Sequence, residues 1–148
     1  MSECLLKGRG LVNGVVEAQA LVTRSCFGFT HGVDPKTGDI CDERHEWSGQ
    51  NMKGKVLVFP FGKSSSSGAL WILETVRCGN QPAAIINVEA EPIITAGCFL
   101  AGILYDRPVT LVDRLNRNPC EVIKSGDYIR VDGKRGVVEI LRGMKNPG

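Results

Sequence analysis

Four consecutive serines form the most concentrated group of reactive side chains in this chain of 148 residues. They occupy positions 64–67, after Gly62 and Lys63 and before Gly68. The apolar sequence KVLVFPF precedes them and ALWILETV follows, so the run lies between a predicted buried strand and a predicted helix. Ligands bind at the carboxyl ends of strands in open α/β sheets. We therefore expect a ligand site here rather than a flexible linker.

The ligand expected at this segment is an anion. Amides in the first turn of a helix lack intrahelical partners, and the helix dipole adds partial positive charge there. Lys63 adds a full charge, Gly62 lets the backbone approach a ligand closely, and the serine hydroxyls donate hydrogen bonds. Capping a helix requires only one serine, yet the chain supplies four. A well-capped helix without a ligand is the alternative.

Known serine and phosphate motifs do not fit this segment. A P-loop places its lysine after a second glycine, whereas Lys63 precedes the serines. A nucleophile elbow needs GxSxG, which the run does not contain. His31 and His45 are the only imidazole bases of the chain. Nothing in the sequence brings either to a serine, so a Ser–His hydrolase is a minor alternative.

Composition excludes several classes of protein. Hydrophobic residues make up 43% and charged residues 23%, which is ordinary for a folded domain, and a net charge of +2 is too small for a nucleic-acid footprint. No apolar run approaches the roughly 20 residues of a membrane helix, and the start does not resemble a signal peptide. Six cysteines without a CxxC pair predict reduced thiols in the cytoplasm and no metal or cluster bound by this chain alone.

Strands and helices alternate in the middle of the chain, which predicts the elements that position the serines. We expect an α/β fold in which a parallel βαβ core packs against flanking antiparallel strands, in one domain over residues 1–148 with a frayed tail at 142–148. Residues 26–54 are predicted to form a functional or covering loop. The predicted strands are 5–10, 15–23, 55–59, 83–88, 108–112, 126–132 and 136–141, and the predicted helices are 69–78 and 93–104.

Several segments together resemble the small subunit, or swivelling domain, of aconitase X. They are, in order, VNGVVEAQALVT, FGFTHGVDPKTGDI, KGKVLVFPFGKSSSSG, QPAAIINVEAEPIITAGCFLAGI and GDYIRVDGKRGVVEI. The resemblance covers most of the chain. It implies a swivelling β/β/α-type domain and one part of a hydro-lyase, active only with a large subunit. That partner would hold an iron–sulfur cluster and most of the site.

The resemblance also implies a role for each residue of the serine run. In the wider aconitase group, a Gly-Ser-Ser-Arg loop supplies a serine alkoxide as the base, and its first serine falls on Ser65. Ser64 stands in place of the glycine and Ser67 in place of the arginine. We expect Ser65 to be catalytic, and the substrate-binding residues to be Gly62, Lys63, Ser64, Ser66 and Ser67.

The resemblance implies one of two substrates. The first is cis-3-hydroxy-L-proline, dehydrated to a pyrroline-2-carboxylate, and the second is (R)-5-phosphomevalonate. Six cysteines and a modest charge content are unlike a hyperthermophile protein, and a phosphorylated substrate would favour more arginine and lysine around the loop. We therefore expect hydroxyproline, with phosphomevalonate as the alternative. A stand-alone module that binds a small anion without catalysis is an alternative of another class.

The segment THGVDPKTGD has two interpretations. Asp34 and Thr37 are typical of a tight turn that satisfies its own backbone groups. In the resembled family this segment approaches the cleft, which would give residues 29–38 a direct role with the substrate. We favour the turn. Trp47 and Trp71 are expected to pack in the core.

Overall fold

The computed structural model describes residues 4–63 and 66–141. The described elements form eight strands and three helices. In chain order they are β1 (Cys4–Lys7), β2 (Arg9–Val12), β3 (Val15–Val22), β4 (Val56–Phe59), α1 (Gly68–Arg77), β5 (Ala84–Asn87), α2 (Pro92–Tyr105), β6 (Thr110–Asp113), α3 (Pro119–Val122), β7 (Tyr128–Asp132) and β8 (Val137–Ile140).

Strand β3 joins a parallel and an antiparallel half of the sheet, whose order is β1-β8-β7-β3-β4-β5-β6-β2. Its first five residues pair antiparallel with β7, and Ala20, Leu21 and Val22 pair parallel with β4. Strands β4, β5 and β6 continue the parallel half, and β2 closes it antiparallel to β6. This arrangement confirms the predicted βαβ core with flanking antiparallel strands.

The parallel strands are buried on both faces, as their continuous apolar sequences predict. Every residue of β4, β5 and β6 is buried. Alternate side chains, among them Leu57 and Ile85, pack against the two helices. The side chains between them, such as Val58 and Ile86, pack against the antiparallel half. The molecule therefore has three layers: helices, parallel sheet and antiparallel sheet.

The predicted strand 5–10 is wrong in one respect, because the chain forms two strands there. β1 pairs with β8 at one edge of the sheet, and β2 pairs with β6 at the other. Gly8 lies between them, and a Cβ atom at that position would collide with the carbonyl oxygen of Asp113. The break thus depends on close packing against β6, which is distant in sequence.

Residues 26–54 have little regular structure, as predicted, but they supply part of the core. Phe27 is fully buried, and its ring centroid lies 5.2 Å from that of Trp47 and 5.7 Å from that of Phe59. Trp47 is buried and donates its indole N–H to the carbonyl of Val22. This cluster anchors the segment to the helical face of the sheet, next to the end of β4.

Candidate functional site

Two chain segments lie side by side where β4 ends, and together they frame the serine run. Phe27 and Gly62 form a parallel bridge. The backbone N–H of Lys63 donates to the carbonyl of Phe27 at 3.0 Å, and the N–H of Phe27 donates to the carbonyl of Phe61 at 3.2 Å. Residues 27–31 and 61–63 are thus fixed relative to each other.

The first turn of α2 packs tightly against both ends of the serine run. A Cβ atom at Gly62 would collide with Cδ1 of Ile94, and one at Gly68 would lie 3.2 Å from Cγ2 of Ile93. The turn itself is held by Glu91, whose carboxylate accepts from the N–H groups of Ile93 and Ile94 at 3.0 and 2.6 Å. The two glycines therefore leave room for close contact with α2.

The hydroxyl of Ser67 is paired with Thr30. Ser67 is the N-cap residue of α1, but its side chain makes no capping hydrogen bond. Its Oγ lies 3.0 Å from Oγ1 of Thr30 instead. This contact ties the serine run to residues 27–31, and it means that Ser67 is used for something other than capping. Ser66 is exposed in the turn before α1.

Lys63 supplies the positive charge at this junction. Its Nζ lies 3.6 Å from Oδ2 of Asp42, and the two side chains are 55% and 24% exposed. An ion pair this open to solvent contributes little stability. Lys63 is therefore able to exchange Asp42 for an incoming anion at small cost.

The two histidines have different surroundings. His31 is exposed, has a left-handed backbone (φ 58°), and packs its ring edge-on against Trp71 at 5.0 Å. His45 is buried, and its Nδ1 accepts from the N–H of Trp47. Burial lowers the pKa of His45, and Nε2 has no partner among the described residues. The rings of Phe27 and Trp47 pack against His45, and the charges of Asp42 and Lys63 act on its pKa in opposite directions.

Asp34 and Thr37 have the structural role that we favoured. The Asp34 carboxylate accepts from the N–H of Lys36, and its carbonyl accepts from the N–H groups of Thr37 and Gly38. The Thr37 hydroxyl accepts from the N–H of Asp39. These bonds close a tight turn. The neighbouring Thr30 is the residue of this stretch that reaches the serine run.

Asn87, the last residue of β5, stabilises the end of β4. Its Nδ2 donates to the carbonyl of Phe59 at 2.9 Å, directly before the chain leaves the sheet toward the serines. The side chain is fully buried, and its Oδ1 has no hydrogen-bond partner among the described residues. Asn87 thus holds the last residue of β4 with a side-chain hydrogen bond.

A charged cluster lies farther along the same edge of the sheet. The Asp113 carboxylate is fully buried and accepts two hydrogen bonds from Arg9, at 2.9 and 2.8 Å, and one from the N–H of Ala90 at 2.8 Å. Burial alone would raise the pKa of Asp113, but the Arg9 and Ala90 hydrogen bonds outweigh it and hold that pKa below its usual value.

The structure brings most of the predicted site residues to one strand–helix junction. Gly62, Lys63, Ser66 and Ser67 lie there, whereas Ser64 and Ser65 are outside the described residues. Sequence reasoning missed Thr30, Asp42 and Asn87. Thr30 belongs to the segment THGVDPKTGD and Asn87 to the segment PAAIIN, and both segments had contributed to the resemblance.

Metal-binding side chains do not cluster in the part of the chain that the structure describes. No three residues of the histidine, cysteine, aspartate and glutamate types are placed there so that they could hold a metal ion together. Cys98 and Cys120 are buried, and burial raises their thiol pKa values, that of Cys120 to about 11. Neutral, separated thiols do not fit a cluster held by these residues. Within the same ranges, no helix has the length and apolar character needed to cross a membrane.

Comparison with known proteins gives consistent results. A family profile described as "Aconitase X swivel domain" matches residues 5–140. The phosphomevalonate dehydratase small subunit of Methanocella arvoryzae is 42% identical over 91% of this chain and 98% of its own length. The protein of the same name from Pyrococcus furiosus is 43% identical over 92% of this chain and 95% of its own. The holo-form crystal structure of Thermococcus kodakaraensis aconitase X superposes with a TM-score of 0.83 at 38% identity, covering 94% of this chain and 99% of that one.

Proposed function

The chain belongs to the aconitase X swivel-domain family, and we propose that it is the small subunit of a phosphomevalonate dehydratase. The observation that carries the proposal is similarity over nearly the whole length to small subunits of that name. These relatives are named as dehydratase small subunits. The names agree with the predicted dehydratase class, the predicted small-subunit identity and the predicted need for a large subunit. That one domain spans residues 1–148 and that the protein is cytoplasmic both remain predictions.

The substrate preference expected from composition is not supported. Cysteine and charge content favoured hydroxyproline, yet the relatives compared above are named for phosphomevalonate. Composition reports on adaptation to temperature and says little about the ligand. The scarcity of cations near the serine run is also a weak argument, because a large subunit can supply the groups that bind a phosphate.

The proposed reaction removes water from a 3-hydroxy acid. A base takes the proton from the carbon next to the carboxylate, the electron pair of that C–H bond forms a carbon–carbon double bond, and the hydroxyl leaves the neighbouring carbon and is protonated to water. We assign the base to Ser65. A serine alkoxide forms only where positive charge and aligned amides stabilise it in a site that excludes water.

The residues around the serine run are suited to that task. Lys63 is weakly paired and lies next to the run, so its charge is available to an oxyanion or a substrate carboxylate. Gly62 lets the backbone approach the substrate closely. Ser64, Ser66 and Ser67 offer hydroxyl groups to the substrate. Ser67 is oriented through its contact with Thr30.

We assign the iron–sulfur cluster to the large subunit. The cysteines described here are separated, and the buried ones are neutral. When bound in the partner, the cluster would act as a Lewis acid on the leaving hydroxyl. The contribution of this chain is then the proton acceptor, the anion-binding groups and the exclusion of water.

Reconstitution with the large subunit of the same organism tests the proposal. The mixture should form a dehydration product from (R)-5-phosphomevalonate and none from cis-3-hydroxy-L-proline, and each subunit alone should be inactive. If the mixture turned over cis-3-hydroxy-L-proline and not phosphomevalonate, the substrate expected from composition would be the correct one. Tight binding of phosphomevalonate to this chain by itself, without turnover in the mixture, would indicate a stand-alone anion-binding module instead.

A further inference from the structure

Helix α2 is apolar on all sides although one of its faces is exposed. Its sequence, PIITAGCFLAGILY, contains no charged residue. One side packs on the sheet and on α1, yet Phe99, Leu100, Ile103 and Leu104 are 55%, 37%, 64% and 57% exposed. A helix that is apolar all round is normally buried all round. The exposed side is therefore built to contact another protein surface.

The neighbouring helix α1 shows that this is not a general property of the helical layer. Glu74 and Arg77 lie on the outer side of α1 and form an ion pair at 2.6 Å. Both side chains are about half exposed, as on an ordinary solvated helix. Among the large apolar side chains that are exposed, α1 contributes Leu70, at 67%, whereas α2 contributes four.

A groove beside α2 extends the apolar face to the edge of the sheet. It has a volume of about 220 Å³, and its lining residues come from β2 and the residue after it, from α2, and from the connection between α2 and β6. Strand β2 is the last strand of the sheet on this side. An apolar side chain from a partner would fit this volume. The lining residues are Leu11, Val12, Asn13, Phe99, Gly102, Ile103 and Pro108.

We propose that the large subunit of the dehydratase docks on this α2 surface, defined as the exposed side of α2 together with the groove against β2. The inference rests on the proposed function, which requires a large subunit to cover the serine run. The first turn of α2 packs on Gly62 and Gly68, which flank that run. From there the exposed side continues through Pro92 and Ala96 to Phe99 and Ile103, and the partly exposed Thr95 beside it donates its hydroxyl to the carbonyl of Glu91.

A second copy of this chain fits the α2 surface less well. The α2 surface begins next to the serine run. A second copy bound to this surface would therefore block the access of the large subunit to the serine run. A single partner that covers both features buries the apolar face and closes the site in one step. Docking and exclusion of water from the serine run are thereby coupled.

The experiment measures affinity between separately purified subunits. Ile103→Lys and Phe99→Lys each introduce a charge into the α2 surface, and Val15→Lys introduces the same charge at a side chain that is 62% exposed at the start of β3. Isothermal titration with the large subunit of the same organism should show binding weakened by about 30-fold or more for the α2 variants, as expected for the centre of an interface. Val15→Lys should bind like the unmodified chain.

Each outcome supports or overturns the inference. Because the substituted side chains are exposed, circular dichroism should show all three variants folded. Unchanged affinity of Ile103→Lys and Phe99→Lys would overturn the inference, and so would a loss of self-association in sedimentation without a loss of large-subunit binding. Failure of the unmodified pair to turn over phosphomevalonate, with the binding loss still confined to the α2 variants, would overturn the substrate proposal and leave the docking surface intact.

Discussion

Replacing Thr30 by valine keeps the shape of the side chain and removes its hydroxyl. The Oγ1 atom of Thr30 lies 3.0 Å from Oγ of Ser67, in a partly buried position beside the serine run. A hydrogen bond of this kind contributes about 0.5–1.5 kcal/mol. If this contact orients the run in the transition state, kcat/KM should fall by about 2- to 12-fold, because about 1.4 kcal/mol corresponds to a factor of ten.

The assay is steady-state turnover of phosphomevalonate by the reconstituted enzyme. Thr37→Val is the matched control, because its hydroxyl accepts one hydrogen bond in the same stretch of chain but holds a turn. Thr37→Val should lose about as much stability as Thr30→Val, but its kcat/KM should stay that of the unmodified enzyme. Equal kcat/KM for Thr30→Val and the unmodified enzyme, or equal losses in both variants, would refute the orienting role.

Three further predictions concern the same edge of the sheet. Gly62→Ala should lower stability in urea unfolding by about 0.5–1.5 kcal/mol, because Cδ1 of Ile94 has to move away from the new Cβ; an unchanged midpoint would contradict the packing described. Lys63→Met should raise KM by about 10- to 150-fold with a smaller effect on kcat, as for a lost charged contact; an unchanged KM would exclude it from substrate binding. The ion pair with Arg9 lowers the pKa of Asp113 below its usual value of 3.8. The stability that Asp113 contributes is therefore fully present at pH values above 3.8, and it is lost as the pH falls through the pKa of the folded state. The stability gap between the unmodified chain and Asp113→Asn should therefore close in acid, and a gap independent of pH would contradict this.

Local sequence patterns were enough to predict most of the fold. The apolar runs at 55–59 and 83–88 became β4 and β5, which are buried throughout. The helix predicted at 69–78 is α1, and Gly79 follows it with φ 78° as a helix stop. These features depend on neighbours in the chain, which a sequence shows directly.

What the sequence did not predict depends on contacts between distant residues. The glycine at the break packs against the carbonyl of Asp113, more than one hundred residues away. The pairing of Thr30 with Ser67 spans 37 residues, and Asn87 contacts Phe59 across 28. For the site, Lys63 and the serines were identifiable by type and position, whereas the groups that orient them became visible only in the fold.

We propose that Ser65 receives the substrate proton once a large subunit covers the serine run. The most direct measurement is the rate of product formation by reconstituted enzyme containing Ser65→Ala, compared with Ser66→Ala and with the affinity between the subunits. We expect Ser65→Ala to abolish turnover while subunit affinity is unchanged, and Ser66→Ala to retain measurable activity. Activity of Ser65→Ala close to that of the unmodified enzyme would contradict the claim.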